Sequence, residues 1–239
     1  VSLYSLVLSN CNCDIYIYIL DGGLGESLKD DLKWFSEQNE NIKKIDFIVI
    51  AQEMFSKFNS VRSLTNSDAH DEQSYMMYAR LLMPSLIDVE RVIYLDSDIL
   101  VVGSLKDLYN LEITTGSIAA RTCPYVKFLE HDWKLPYSCS KKVDYFNSGV
   151  MLVDLEKWRA EKIAEQCFEL LNDYPNSFHM WDQSVLNVVI NGDYTHLPPG
   201  YNQWPDVWCV GDESTSIVHF VGRPKPWALD EVVKESELL

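Results

Sequence analysis

The chain has 239 residues, enough for one large domain or two small ones, and it can bury a substantial core without disulfides. Hydrophobic residues make up 47% and charged residues 23%, as in ordinary soluble globular proteins, and an excess of Asp and Glu gives a net charge of −16. This charge argues against nucleic acid or an anionic membrane as the main partner, because phosphate backbones bind to basic surfaces.

Apolar runs and helical periodicity alternate along the first 85 residues. Residues 15–20 are apolar and lead into Asp21 and two glycines, which predicts a strand and a turn. A helix over residues 24–35, a strand over residues 45–50 and a helix over residues 68–82 are expected to follow. The residues expected to face the core are Leu24, Leu28, Leu32 and Phe35 in the first helix and Tyr75, Tyr78, Ala79 and Leu82 in the second.

The next predicted strand carries two carboxylates at its end. Residues 92–95 are apolar and β-branched or aromatic, as in a strand buried on both faces, and Asp96 and Asp98 follow directly. Ligands bind at the carboxyl ends of strands in α/β sheets, and paired carboxylates suit Mg²⁺ or Mn²⁺ bound to phosphate oxygens. The structural alternative is that both aspartates only cap the next turn.

The second half of the chain is less regular. Short elements are predicted over residues 105–108 and 117–121, and residues 124–144 form an aromatic segment suited to a lid or an acceptor-facing insertion. A strand over residues 150–153 and helices over residues 155–171 and 182–190 complete the pattern. With no repeat and no linker, residues 1–239 are expected to form a single α/β domain, a doubly wound and mostly parallel sheet with helices on both faces.

The six cysteines show neither a Cys-x-x-Cys pair nor a zinc-like spacing with histidine, and we expect reduced thiols in a cytosol. No stretch approaches the roughly 20 apolar residues of a membrane span. The expected location is therefore cytoplasmic, while peripheral attachment to a membrane through parts outside this chain stays open, as does a homo-oligomer.

Four further segments accompany the aspartate pair. Arg80 lies on the helix before the aspartate-bearing strand, and Asn147 and Gly149 stand at the mouth of a later strand. Asp182 and Gln183 open a helix, and a final segment contains His219, Gly222 and Lys225 in the pattern His-x-x-Gly-x-x-Lys-Pro.

These segments, in this order, strongly resemble family 8 of the glycosyltransferases, which includes bacterial lipopolysaccharide galactosyltransferases and glycogenin. The resemblance runs from Val1 to about Trp227. It implies the retaining GT-A fold, a UDP-sugar donor, a glycan or glycoprotein acceptor, and Mn²⁺ as the cofactor, with Mg²⁺ as an alternative. It also implies a metal-dependent hexosyltransferase that moves glucose or galactose.

The resemblance assigns roles to single residues. Asp96, Asp98 and His219 would bind the metal, and Gly222 and Lys225 would contact the diphosphate. The donor would further contact Arg80, Ser97, Asn147, Asp182 and Gln183, and the last two would be catalytic, with the Gln183 carbonyl oxygen beneath the sugar ring. Because glutamine is a poor covalent nucleophile, front-side displacement within an ion pair is the preferred retaining mechanism.

Each residue also has a structural interpretation. His219 could be a satisfied core histidine, Asp182 could be an N-cap, Arg80 could pair with a surface acid, and Asn147 could only satisfy a turn. His131 and Asp132 belong to no motif. At the level of the whole protein, the alternatives are a catalytically silent UDP-sugar-binding domain and a nucleotide-sugar hydrolase.

The chain departs from the family at its beginning. Relatives usually start with a strand and an aspartate-bearing turn that hold the uracil and ribose, whereas this chain opens at what resembles the next helix. Without that central strand, two buried sheet edges would lack hydrogen-bond partners. We therefore expect a preceding strand and a uracil-binding turn in the natural protein.

Overall fold

Strands and helices alternate along the chain in the computed structural model, which describes residues 1–55, 74–129, 142–174, 177–178, 180–205, 214–222 and 225–227. The strands in these residues are β1 (Ile15–Asp21), β2 (Ile42–Val49), β3 (Arg91–Leu95), β4 (Ile99–Val101), β5 (Ile118–Thr122), β6 (Phe146–Asp154), β7 (Thr195–His196) and β8 (Ile217–His219). The α-helices are α1 (Ser2–Ser9), α2 (Glu26–Glu37), α3 (Met83–Leu86), α4 (Lys106–Tyr109), α5 (Leu155–Ala160), α6 (Ile163–Asp173) and α7 (Trp181–Ile190). Short 3₁₀ helices cover Gln52–Phe55, Ser74–Leu82 and Pro199–Tyr201.

The N-terminal unit is parallel, as the alternation predicts. β1 pairs with β2 in parallel from Ile15 opposite Ile42 to Asp21 opposite Val49, and α2 provides the crossover between them. The apolar face predicted for α2 is only partly covered, because Leu28 is exposed and no residue of the helix is fully buried.

The aspartate-bearing strand belongs to a mixed sheet in the order β3-β6-β5-β7. β6 lies antiparallel to both β3 and β5, while β5 and β7 are parallel. Antiparallel neighbours need no helical crossover, and the described residues between β5 and β6 contain none. The α/β class predicted from sequence is confirmed, and β6 is the buried centre of this sheet.

Between the parallel unit and the mixed sheet, the described residues contain no connecting ladder. Within the part of the chain that the structure describes, β1 pairs only with β2, and β3 pairs only with β6.

β4 lies apart from both sheets and pairs antiparallel with β8. The side chains of α1 satisfy its other edge, because Ser2 and Ser9 donate to the carbonyls of Ile99 and Val101 at 2.9 Å, and Ser5 accepts from the amide of Val101 at 3.0 Å. Three serines on one helix thus replace the hydrogen bonds that a neighbouring strand would make.

The main core packs the helices of the second half against β6. Trp158, Ile163 and Cys167 are buried as predicted, and Leu170 is partly buried. The prediction of a single helix over residues 155–171 is wrong, because this segment forms two helices. Lys162 adopts the left-handed conformation (φ 55°) and interrupts the helical hydrogen bonds between them.

The second predicted helix is also different in form. Of the residues predicted to face inward, Tyr75, Tyr78 and Ala79 are buried and Leu82 is partly buried, but the described part, Ser74–Leu82, is 3₁₀ rather than α. Residues 68–73 lie outside the described residues, as does most of the predicted lid, residues 130–141. Among the described residues, no helix has both the length and the apolar character needed to cross a membrane.

The serine contacts of α1 predict a specific loss of stability. Ser5→Ala should lower the free energy of unfolding by about 1–3 kcal/mol, because it leaves the buried amide of Val101 without its acceptor. Urea unfolding measures the change. Ser36→Ala is the control: its exposed hydroxyl donates to Lys33, and the change should stay within about 0.5 kcal/mol. Equal effects of the two substitutions would contradict this role of α1.

Candidate active site

Two aspartates and one histidine, residue types that bind metals, converge where β3 ends and β4 pairs with β8. Asp96 follows β3 and Asp98 precedes β4, while His219 is the last residue of β8 and stands opposite Ile99. One ligand atom from each of the three side chains lies within 4.8 Å of the others. The antiparallel register of β4 and β8 therefore brings together residues that are more than 120 positions apart in sequence.

Each carboxylate has one oxygen held by the protein and one that faces the histidine. Asp96 Oδ1 accepts from the Tyr94 hydroxyl at 2.8 Å and lies 3.0 Å from the Arg80 guanidinium. Its Oδ2 lies 3.8 Å from His219 Nε2, and Asp98 Oδ1 lies 3.3 Å from the same nitrogen. Two oxygens and one ring nitrogen thus face a common space, a donor set that suits a divalent transition metal.

Gly149 forms the wall of this space. A Cβ at this position would overlap Cε1 of His219 and would lie 2.6 Å from Asp96 Oδ2. Only glycine lets β6 pass this close to both side chains, which explains the glycine in the predicted Asn-x-Gly motif. The donor set and this cradle fit a bound Mn²⁺ or Mg²⁺.

Arg80 connects the aspartate pair with the helix α7. Besides Asp96, its guanidinium lies 2.8 Å from Asp182 Oδ2 and donates to the Ser148 carbonyl at 2.8 Å. It also lies over the Tyr94 ring, 4.6 Å from the centroid. The acidic partners of Arg80 are therefore the buried Asp182 and the partly buried Asp96 rather than a surface acid, and its contact with a donor stays a prediction.

Burial and charge shift the carboxyl pKa values in opposite directions. Burial raises the pKa of Asp182 to about 6, although the neighbouring Arg80 acts to lower it. Burial also acts to raise the pKa of Asp98, but His219 and Lys225 outweigh it and bring the pKa to about 2. Asp98 therefore stays ionised at every pH at which the protein is expected to work.

Asp182 and Gln183 lie in the first turn of α7, and both are buried. The N-cap interpretation of Asp182 is wrong, because the helix begins at Trp181 and Met180 occupies the N-cap position. The Gln183 carbonyl oxygen accepts from the Asn147 side chain at 2.9 Å and from the Ser148 amide at 3.1 Å. Gln183 is thus held by the start of β6, and its contact with a sugar stays a prediction.

Lys225 contacts Asp98 directly. Its ammonium lies 2.5 Å from Asp98 Oδ2 and donates to the Phe220 carbonyl at 2.6 Å. Gly222 has a φ of 79°, and a Cβ there would meet nothing within 4 Å. Ser97 is exposed, and its carbonyl accepts from the Ser2 hydroxyl. His131 and Asp132 lie outside the described residues.

Two contributors to the site escaped the sequence reasoning. The Tyr94 hydroxyl donates a hydrogen bond to Asp96, but Tyr94 lies within a strand, where the sequence predicts only a core aromatic residue. The side-chain oxygen Oδ1 of Asn202 lies 2.9 Å from Nδ1 of His219 and accepts its hydrogen bond. Asn202 follows a 3₁₀ helix and belongs to no recognisable motif. The spacing between Asn202 and His219 carries no periodic signal, so only the fold brings them together.

The sequence matches the model of the family described as "Glycosyl transferase family 8" over residues 1–231. Lipopolysaccharide 1,2-glucosyltransferase of Escherichia coli (strain K12) is 26% identical over 95% of this chain and 68% of its own length. General stress protein A of Bacillus subtilis (strain 168) is 25% identical over 90% of this chain and 77% of its own length. Across three curated relatives, the share of the relative that this chain spans runs from 54% to 77%.

The fold is similar to that of a solved glycosyltransferase. The crystal structure of the galactosyltransferase LgtC in complex with donor and acceptor sugar analogues superposes with a TM-score of 0.77 at 24% identity. The superposition covers 99% of this chain and 87% of the other. Since the family model spans nearly the whole sequence and the architecture agrees, the chain belongs to glycosyltransferase family 8 and is a glycosyltransferase with the GT-A fold.

Proposed function

We propose that this chain transfers glucose or galactose from UDP to a glycan or glycosylated protein, with retention of the anomeric configuration and with Mn²⁺ bound by Asp96, Asp98 and His219. The observation that carries this proposal is the convergence of Asp96 Oδ2, Asp98 Oδ1 and His219 Nε2 on one space whose wall is Gly149. Relatives named as glucosyl- and galactosyltransferases support a hexose donor.

The charge of the site favours a bound cation. Asp96, Asp98 and Asp182 bring three carboxylates to the site, and Arg80 and Lys225 bring two fixed positive charges. A diphosphate would add further negative charge in a protein whose net charge is −16. A bound divalent cation would supply the missing positive charge and would stabilise the diphosphate as it leaves.

The chain's own residues would perform the rest of the reaction. The Lys225 ammonium, on the strand-end segment after β8, could turn from Asp98 to the diphosphate and stabilise the charge that develops there. Arg80 fixes the positions of Asp96 and Asp182 relative to one another. Asp182 can accept hydrogen bonds from sugar hydroxyls, and Gln183 offers an amide oxygen to the anomeric centre.

A donor screen on the parent chain and on Asp98→Asn tests this function. We expect the parent to release UDP from UDP-glucose or UDP-galactose only with Mn²⁺, and to give an acceptor product with the anomeric configuration of the donor. Asp98→Asn keeps the shape but removes a charged ligand, so turnover should fall by about a hundredfold or more. Asp30→Asn, at an exposed pair with Lys33, is the control and should change nothing.

The possible outcomes separate the competing functions. UDP binding without any release would indicate a silent binding domain, and release of free sugar in the presence of candidate acceptors would indicate a hydrolase. An Asp98→Asn variant with parental turnover and parental Mn²⁺ affinity would contradict the metal assignment.

A second prediction concerns the glycine wall. Gly149→Ala should weaken Mn²⁺ binding by at least about tenfold, because its Cβ displaces two ligands at once. Isothermal titration with Mn²⁺ measures this effect. Gly25→Ala provides the control, since a Cβ at Gly25 meets nothing within 4 Å. If Gly149→Ala binds Mn²⁺ like the parent while folded, the proposed cation position is wrong.

A third prediction separates two roles of Lys225. The Lys225 ammonium forms an ion pair with Asp98, so it competes with a cation for this carboxylate. Lys225→Met should therefore leave the affinity for Mn²⁺, measured without UDP, unchanged or higher. The same substitution should weaken UDP binding in the presence of Mn²⁺ and slow transfer by about tenfold or more. Lys33→Met, at an exposed position, is the control. A parallel loss of Mn²⁺ and UDP binding would mean that Lys225 only supports the local fold.

A further inference from the structure

A buried set of side-chain amides lies directly behind the candidate metal ligands, and its central member is Asn202. We propose that Asn202 is a positioning residue that presents Nε2 of His219 to the cation and ties this ligand to Gln183. This inference rests on the proposed function, and it adds a residue that no motif of the sequence indicates. Asn202 is fully buried, and its side chain contacts Asn147, His219 and Trp204.

The orientation of the Asn202 amide follows from its neighbours. Trp204 Nε1 can only donate a hydrogen bond, and it lies 3.2 Å from the Asn202 Oδ1. The Asn202 Nδ2 then points to Asn147 Oδ1, at 2.9 Å. With Oδ1 towards Trp204 and Nδ2 towards Asn147, the Asn202 amide satisfies both of these partners.

The orientations of the Asn147 and Gln183 side-chain amides are fixed in the same way. The backbone amide of Gly149 donates to Asn147 Oδ1 at 3.1 Å, and the backbone amide of Ser148 donates to Gln183 Oε1 at 3.1 Å. Both donors are backbone N–H groups with no alternative role. They fix Asn147 Nδ2 as the donor to Gln183 Oε1, so one continuous chain of hydrogen bonds leads from Asn202 to Gln183.

The histidine state follows from this chain. Nδ1 of His219 lies 2.9 Å from Asn202 Oδ1, an atom that can only accept, so Nδ1 must carry a hydrogen. Nε2 is then the ring nitrogen that remains to bind a cation, and it lies 3.3 Å from Asp98 Oδ1 and 3.8 Å from Asp96 Oδ2. A histidine that binds a metal through Nε2 keeps its hydrogen on Nδ1, and the partner at Nδ1 selects this arrangement.

Asn202 has two functions that two substitutions can separate. Asn202→Ala removes both the acceptor for His219 and the donor to Asn147. Asn202→Asp keeps an oxygen for Nδ1 of His219 but places a second oxygen against Asn147 Oδ1, which breaks the link towards Gln183. The first should therefore affect the cation and the transfer reaction, and the second mainly the transfer reaction.

Nitrogen-15 NMR of the histidine rings, without metal, tests the link to His219 directly. We expect a hydrogen-bonded Nδ1–H for His219, assigned by its loss in His219→Gln, and we expect this signal to disappear in Asn202→Ala and to persist in Asn202→Asp. An Nδ1 that carries no hydrogen in the parent, or an Asn202→Ala spectrum identical to that of the parent, would overturn the proposal.

Mn²⁺ titration followed by the EPR signal of the free ion, together with transfer rates, tests the consequence. Asn202→Ala should bind Mn²⁺ about 10–100-fold more weakly, whereas Asn202→Asp should stay within a few-fold of the parent yet transfer sugar more slowly. Asn10→Ala is the matched control, since Asn10 is a buried asparagine whose described side-chain hydrogen bonds go to the backbone of Leu6 and Leu105, and the Mn²⁺ affinity of this variant should be parental.

The two claims fail in different ways. A parent chain that binds no Mn²⁺ would contradict the proposed function, while the NMR result would still decide the role of Asn202 because it needs no metal. Equal losses of Mn²⁺ affinity in Asn202→Ala, Asn202→Asp and Asn10→Ala would show a general effect on stability and would overturn the positioning role.

Discussion

The site is organised by the close approach of two carboxylates that repel one another. Asp96 and Asp98 are separated by one residue, and both turn an oxygen towards His219. Such a pair is stable only when positive charge or hydrogen-bond donors surround it. Arg80 and Tyr94 meet this need for Asp96, and Lys225 does so for Asp98. The carboxylates therefore determine where each of these side chains lies.

The fold places these groups by backbone register. β6 holds β3 from one side and carries Gly149 past the end of β3, next to Asp96. β8 places His219 opposite the residue that follows Asp98. The serines of α1 hold the far edge of β4, so that the short segment with Asp98 is supported on both sides. A shift of either antiparallel pairing by one residue would turn the ligands to the other face.

Local patterns allowed part of this account to be predicted from sequence. β1, β3 and the turn with Asp96 and Asp98 follow from short-range apolar runs and their ends, and the residue types of the motifs identify the candidate ligands. The break at Lys162, where the backbone is left-handed, could not be predicted, because the residues around it have ordinary helical preferences. The antiparallel partners of β6 depend on long-range pairing, which alternation of elements does not specify.

The hydrogen-bond chain around Asn202 is the clearest case of information that only the fold contains. Its members come from β6, from α7, from the turn after a 3₁₀ helix and from β8, and each looks like an ordinary polar residue in the sequence. The ion pairs of Arg80 are similar, since the sequence predicts a donor contact or a surface acid and the structure places Arg80 between the partly buried Asp96 and the buried Asp182.

The central claim is that a divalent cation binds between Asp96, Asp98 and His219. Anomalous X-ray diffraction at the manganese absorption edge, from crystals grown with Mn²⁺ and UDP, tests it most directly. The account predicts one anomalous peak at about 2.0–2.3 Å from a carboxylate oxygen of each aspartate and from Nε2 of His219. A peak bound through Nδ1, a peak elsewhere on the chain, or UDP bound with no anomalous peak would contradict it.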